Sequence, residues 1–89
     1  MANMIRRYVI KGHSMEPAFR NGEKVLMHSF LYRVKKGDVV VFRNGDADYL
    51  KRVIRTLGEK LVVKGDNEGH TKTYTIGRSQ VRGKFLMKY

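Results

Sequence analysis

Closely spaced turn signals divide this chain into short segments, and no segment shows the apolar period of a long helix. The longest uninterrupted apolar run is Val39-Val40-Val41-Phe42, and it lies between two glycine-containing turns, at 36–38 and 44–46. An Asn-Gly pair between β-type segments is a strong hairpin signal, because both residues accept a positive φ. The spacing therefore predicts short strands joined by tight turns.

Seven segments have the β-branched and apolar composition of strands. They lie near residues 8–10, 24–27, 39–43, 48–56, 61–63, 73–76 and 83–87, and the last two are expected to pair with each other. One helical turn is predicted at 16–20, with Ser14 as its cap. The predicted fold class is mainly β: a small, twisted, partly closed β-barrel or sandwich. We expect residues 1–89 to form one domain.

Composition excludes several kinds of chemistry. The chain has no cysteine, so it has no disulfide or thiolate, and its three histidines lack a spacing that would suggest a metal site. No cofactor is expected. Nineteen basic and eight acidic side chains give a formal charge of +11, which favours weak association with an anionic membrane surface or nucleic acid. No apolar segment approaches the roughly 20 residues of a bilayer span, so we expect a cytoplasmic or peripheral chain.

One serine lies in a local sequence that suits a nucleophile. Residues 12–17 read G-H-S-M-E-P, so Ser14 follows a glycine and precedes the predicted helical turn. Gly12 permits an unusual backbone angle and leaves room for a substrate to approach. The N–H of Ser14, at the start of the turn, could stabilise an oxyanion. The alternative is that Ser14 is simply an N-cap, which is common before a proline-containing turn.

A lysine on a predicted strand is the candidate base. In the strand 48–56 side chains alternate between two faces, and Tyr49, Lys51 and Val53 share one of them. If that face is internal, burial lowers the pKa of the lysine amine, and a neutral amine can accept the proton of a serine hydroxyl. Ser14 and Lys51 are 37 residues apart, so only the fold can bring them together. The alternative is an ordinary solvated lysine.

The order of these motifs resembles the signal peptidase superfamily of serine/lysine endopeptidases. G-H-S-M-E-P is similar to the G-x-S-M-x-P nucleophile box, K-G-D-V-V-V-F at 36–42 to the K-G-D-x-V-x-F strand, and K-R-V-I at 51–54 to the box with the general base. G-D-N at 65–67 and the glycines, valine and lysine within 77–84 resemble the remaining boxes. Among members without a membrane anchor, the chain is similar to short leader-peptide maturation proteases.

The resemblance implies a role for each matching residue. Ser14 would be the nucleophile, with its own N–H in the oxyanion hole, and Lys51 would be the general base. The residues that would border the groove or support the site are Gly12, Met15, Asp66, Asn67 and Thr71. Thr71 would replace a serine hydroxyl that orients the lysine, whereas the acidic residue and the arginine that follow in the family have no counterpart at Thr73 and Thr75.

The implied activity is cleavage of a signal or leader peptide after small residues, with the peptide bound as an extended strand. Three alternative functions are consistent with the same sequence. One is a Ser/His pair that uses His70, because the side chain of His13 would point away from that of its neighbour Ser14 in an extended segment. Another is a relative that binds peptides without cutting them. The third is a basic β-barrel that stacks nucleic-acid bases on its aromatic residues, among them Tyr8, Tyr32, Phe42, Tyr49 and Tyr74. These aromatic residues follow no single stripe, so nucleic acid is the less favoured partner.

Overall fold

The computed structural model describes residues 5–29 and 33–89. Seven strands form in this part of the chain, and each overlaps a predicted segment: β1 Ile5–Val9, β2 Lys24–His28, β3 Val39–Asn44, β4 Ala47–Leu57, β5 Lys60–Lys64, β6 Thr73–Gly77 and β7 Val81–Lys88. Among the described residues, the one helical element is a 3₁₀ turn at Arg78–Gln80. No helix in these two ranges is long and apolar enough to cross a membrane. The prediction of a mainly β fold is confirmed.

All seven strands belong to one antiparallel sheet in the order β1-β2-β7-β3-β4-β5-β6. Its edge strands, β1 and β6, do not pair with each other in the described structure, so the sheet is not closed. The predicted pairing of the last two strands is wrong, because β6 pairs with β5 while β7 lies between β2 and β3. Gly83 fits this central position, since a Cβ there would lie only 3.1 Å from Met27 Cβ.

The core lies on both faces of the sheet. Because side chains alternate along a strand, the apolar run of β3 contributes Val39 and Val41 to one cluster and Val40 and Phe42 to the other. The first cluster is completed by side chains from β2 and from the segment between β1 and β2; its buried members are Ile10, Met15, Phe19, Val25, Met27, Val39 and Val41. The second also takes side chains from β4, β5 and β6; its buried members are Val34, Val40, Phe42, Val53, Leu61, Val63 and Ile76.

The segment between β1 and β2 is held on the first cluster by two side chains. Met15 and Phe19 are 2% and 3% exposed, and the Phe19 ring packs edge-to-face on Phe85 with the centroids 4.8 Å apart. Phe19 N–H donates to Met15 O at 2.9 Å, which gives one helix-like hydrogen bond where a helical turn was predicted. The rest of the segment consists of turns and bends rather than a helix. Ser14 therefore lies directly beside a side chain that is fixed in the core.

Candidate active site

Ser14 and Lys51 both line one pocket of about 350 Å³. It lies between the segment that leads from β1 to Ser14 and the first half of β4. Its lining residues are Tyr8, Val9, Ile10, Lys11, Gly12, Ser14, Met15, Val41, Asp48, Tyr49, Leu50 and Lys51. The two residues assigned to the nucleophile and the base thus border the same cavity, together with Gly12 and Met15 of the expected groove.

The bend before Ser14 depends on glycine. Gly12 has a φ of +90°, in the left-handed region that favours glycine, and its N–H donates to Asn21 Oδ1 at 2.9 Å. Glu16 N–H donates to His13 O at 3.2 Å and not to the serine hydroxyl. Ser14 Oγ and Ser14 N–H make no hydrogen bond with any described residue. Ser14 is therefore not a helix N-cap, and both groups remain available to a ligand.

The loop that follows β5 holds the backbone on either side of Ser14. Asn67 N–H donates to Ser14 O at 2.9 Å, and Asn67 Nδ2 donates to His13 O at 2.9 Å. Gly65 is buried in close contact with the same serine: a Cβ at Gly65 would overlap Ser14 O and lie 3.3 Å from both Ser14 C and Ser14 Cβ. The G-D-N motif therefore contacts the main chain of Ser14, and its glycine is needed for that close approach.

Asp66 and the residue after Lys51 fix this loop to the sheet. Arg52 Nε and Nη2 donate to the two carboxylate oxygens of Asp66, each at 2.9 Å, and Arg52 Nη1 donates to Gly37 O at 2.7 Å. A bidentate arginine–carboxylate ion pair of this kind has one favoured planar geometry. The hydrogen bonds to Asp66 raise the pKa of Arg52. Arg52 was not predicted as a site residue, because strand alternation places its side chain on the face opposite that of Lys51.

Lys51 is half-buried on the face that carries the second core cluster. It lies across from Val40 in the β3–β4 ladder, and burial lowers the pKa of its amine. No described carboxylate forms an ion pair with it. Within the described ranges, the amine has an aromatic contact with the Tyr74 ring, whose centroid lies 5.8 Å from Lys51 Nζ. Tyr74 was not predicted as a site residue.

The remaining predicted residues lie outside this pocket. Thr71 is exposed and makes no hydrogen bond with the Lys51 amine in the part of the chain that the structure describes, so its orienting role stays a prediction. The His13 side chain is 65% exposed, and its Nδ1 lies 2.6 Å from Glu16 Oε2. His70 is exposed as well. Neither histidine lines the cavity that contains Ser14. Tyr32 lies outside the described residues.

Comparison with known proteins identifies the family. The family model described as signal peptidase, peptidase S26, matches residues 1–80. The chain belongs to the signal peptidase family. Signal peptidase IB of Staphylococcus aureus, in strains Mu50 and N315, is 42% identical over 81 residues, which is 86% of this chain and 40% of the relative. Signal peptidase I S of Bacillus subtilis strain 168 is 34% identical over 62 residues, which is 66% of this chain and 34% of the relative.

Family membership confirms the resemblance found in the motifs. The chain of this signal peptidase family member spans about 40% of the length of the Staphylococcus relatives it matches. The matched residues 1–80 include Ser14, Lys51 and the G-D-N loop. The pocket, the loop after β5 and Lys51 therefore all lie within the part of the chain that the family model matches.

Proposed function

We propose that this protein is a serine endopeptidase of the signal peptidase family, with Ser14 as nucleophile and Lys51 as general base. The observation that carries the proposal is that the two residues line one pocket while burial lowers the pKa of the lysine amine. A lowered pKa leaves more of the amine neutral at a given pH, and only the neutral amine can accept a proton. The substrate that we propose is a signal or leader peptide, cleaved after small residues.

In the first half of the reaction, Ser14 Oγ attacks the scissile carbonyl carbon while its proton passes to Lys51 Nζ. The C–N bond of the tetrahedral intermediate then breaks, and the ammonium returns the proton to the leaving amine. An ester links the acyl group to Ser14. In the second half, the neutral Lys51 takes a proton from water, whose oxygen attacks the ester carbonyl. The same proton then returns to Ser14 Oγ as the C–Oγ bond breaks, which releases the carboxylic acid product.

The hydrogen bonds of Asn67 support a role for Ser14 N–H in the oxyanion hole. In a trans peptide group the N–H and C=O point in opposite directions. Asn67 Nδ2 binds His13 O, so it fixes the His13–Ser14 peptide group with Ser14 N–H directed away from the Asn67 loop. A donor that is fixed in advance stabilises developing negative charge without reorganisation during the reaction.

The position of the pocket suits an extended peptide. Its walls come from the end of the edge strand β1 and from β4. An edge strand has unpaired backbone N–H and C=O groups that can bind a peptide as an added strand. We propose that the peptide lies along this edge, with the scissile carbonyl between Ser14 Oγ and Ser14 N–H.

Cleavage of a synthetic leader-type peptide with alanines before the scissile bond tests the proposal. Ser14→Ala should abolish product formation, and Lys51→Met should lower kcat by about 10²- to 10⁴-fold. Ser79→Ala and Lys60→Met are matched controls on exposed positions and should leave kcat unchanged. Undiminished cleavage by Ser14→Ala would refute the assignment. Binding of the peptide without cleavage by the unmodified protein would favour a non-catalytic, peptide-binding relative.

A further inference from the structure

Two ammonium groups share the ring of Tyr74. Lys51 Nζ lies 5.8 Å from the ring centroid, and Lys72 Nζ lies 5.3 Å from it. Tyr74 belongs to the edge strand β6, pairs with Val63 of β5 and is 38% exposed. A second pocket of about 140 Å³ lies at this ring, and its lining residues are Phe42, Asn44, Tyr49, Lys51 and Tyr74. Lys51 therefore borders two cavities, one with Ser14 and one with Tyr74.

We infer that Tyr74 is a positioning residue for Lys51, whose ring stabilises the ammonium form of the lysine and so sets the pH at which the base becomes available. This inference rests on the proposed role of Lys51 as the base for Ser14. An aromatic face attracts a cation through its quadrupole and has no comparable attraction for a neutral amine. The ring thus opposes the effect of burial on the same amine.

The same contact would assist the proton transfer itself. Lys51 becomes an ammonium at the moment when it accepts the proton of Ser14, and the ring then lies beside the charge that develops. Groups that are fixed near developing charge lower the barrier. Loss of the ring should therefore have two opposite effects on the rate. At low pH the rate should rise because more of the base is neutral, and at high pH it should fall because the ammonium that forms is less stabilised.

Lys72 should act against Tyr74. It places a second positive charge at the same ring, which repels the Lys51 ammonium and competes for the aromatic face. The other charged or titratable groups near Lys51 are Tyr8, Lys11, Asp48 and Tyr49 of the first pocket, and Lys84 two strands away. Arg43 binds Asp48 and Asp38 binds Lys84, so these charges are compensated. Lys11 and Lys72 have no ion-pair partner among the described residues, and of these two only Lys72 lies at the Tyr74 ring.

Three variants separate these effects. Tyr74→Leu keeps an apolar cover but removes the ring, and it should lower the titration midpoint of Lys51 by about half to one pH unit. Tyr74→Phe keeps the ring and should leave the midpoint unchanged. Lys72→Met removes the repelling charge and should raise the midpoint. A merely structural role for Tyr74 would lower activity at every pH and move none of these midpoints.

The experiment combines two measurements on the full chain. NMR of ¹³C-labelled lysine follows the Lys51 titration, with the signal assigned by its loss in Lys51→Arg, and the pH profile of kcat is recorded with the leader-type peptide. Tyr74→Leu should shift both midpoints down and lower the high-pH plateau by about two- to tenfold. Equal midpoints in Tyr74→Leu and Tyr74→Phe, or an upward shift in Tyr74→Leu, would overturn the inference. If no variant cleaves the peptide, the proposed function fails, and the NMR midpoints still decide whether Tyr74 stabilises the ammonium.

Discussion

Replacing Gly65 with alanine tests how closely the loop after β5 controls the position of Ser14, the proposed nucleophile. The added methyl would overlap Ser14 O, so the loop and the serine backbone must separate by roughly half an ångström or more. Such overpacking costs about 1–3 kcal/mol, and weakening the hydrogen bond from Asn67 N–H to Ser14 O adds about 0.5–1.5 kcal/mol. A domain of this size has a stability of about 4–13 kcal/mol, so the variant should still fold.

Two measurements follow from this displacement. A loss of about 3 kcal/mol, the middle of this range, lowers the Tm of a domain of this size by about 12–24 °C, which thermal denaturation would show. Misplacing a nucleophile by an ångström costs on the order of 10²-fold in rate, so kcat for the leader-type peptide should fall by about that factor, with little change in KM.

Gly77→Ala is the matched control, because a Cβ at Gly77 would meet Gln80 Oε1 and Ser79 Oγ at ordinary contact distances of 3.6 Å. It should leave Tm and kcat close to those of the unmodified protein. If Gly65→Ala matches this control in both quantities, the loop does not restrain Ser14 and the reasoning is wrong. If Gly65→Ala lowers the Tm but no variant cleaves the peptide, the close packing of Gly65 against Ser14 is supported and the proposed function is not.

Two further predictions concern stability. Arg52→Ala leaves the Asp66 carboxylate half-buried without its partner, so the free energy of unfolding should fall by about 1–3 kcal/mol. Arg52→Lys should recover little of this loss. Urea unfolding of Arg52→Ala identical to that of the exposed control Arg55→Ala would contradict the prediction. Because the pKa of Lys51 is lowered in the folded state, the unfolded chain binds more protons between the two pKa values and stability rises with pH through this window. Lys51→Met should therefore be at least as stable as the unmodified protein near neutral pH, and this advantage should shrink as the pH rises towards the ordinary lysine pKa of about 10.4. An advantage that grows with pH would be inconsistent with a buried amine.

The strands could be predicted because their signals are local. Asn44-Gly45 marks a hairpin through the backbone freedom of two adjacent residues, and Gly45 does adopt a positive φ of +66°. The run from Val39 to Phe42 is apolar at every position because both of its faces are covered. The position of β7 was not predictable in this way. It depends on Gly83 fitting against Met27, which is a contact between distant parts of the chain.

Within the site too, local sequence signals could be predicted and contacts between distant segments could not. The sequence motifs identified Ser14 and Lys51, and the structure places both at one pocket. The contacts around them depend on strand register, which no local signal defines. Tyr74 contacts Lys51 because Val63 aligns with Tyr74 on one side and with Val53 on the other. Asp66 was expected to support the site directly, and its contact with Arg52 follows only from the way the loop returns to β4.

The proposed nucleophile and base are held by core clusters on opposite faces of the sheet. Met15, next to Ser14, is anchored in the cluster on one side of β3, while Lys51 extends from the side where Val40 and Val53 are packed. The distance between Ser14 Oγ and Lys51 Nζ thus depends on the packing of both clusters against β3 as well as on the site residues. Under the proposed mechanism, core substitutions far from the cavity that shift one cluster relative to the other would change the rate without altering any group that a substrate touches.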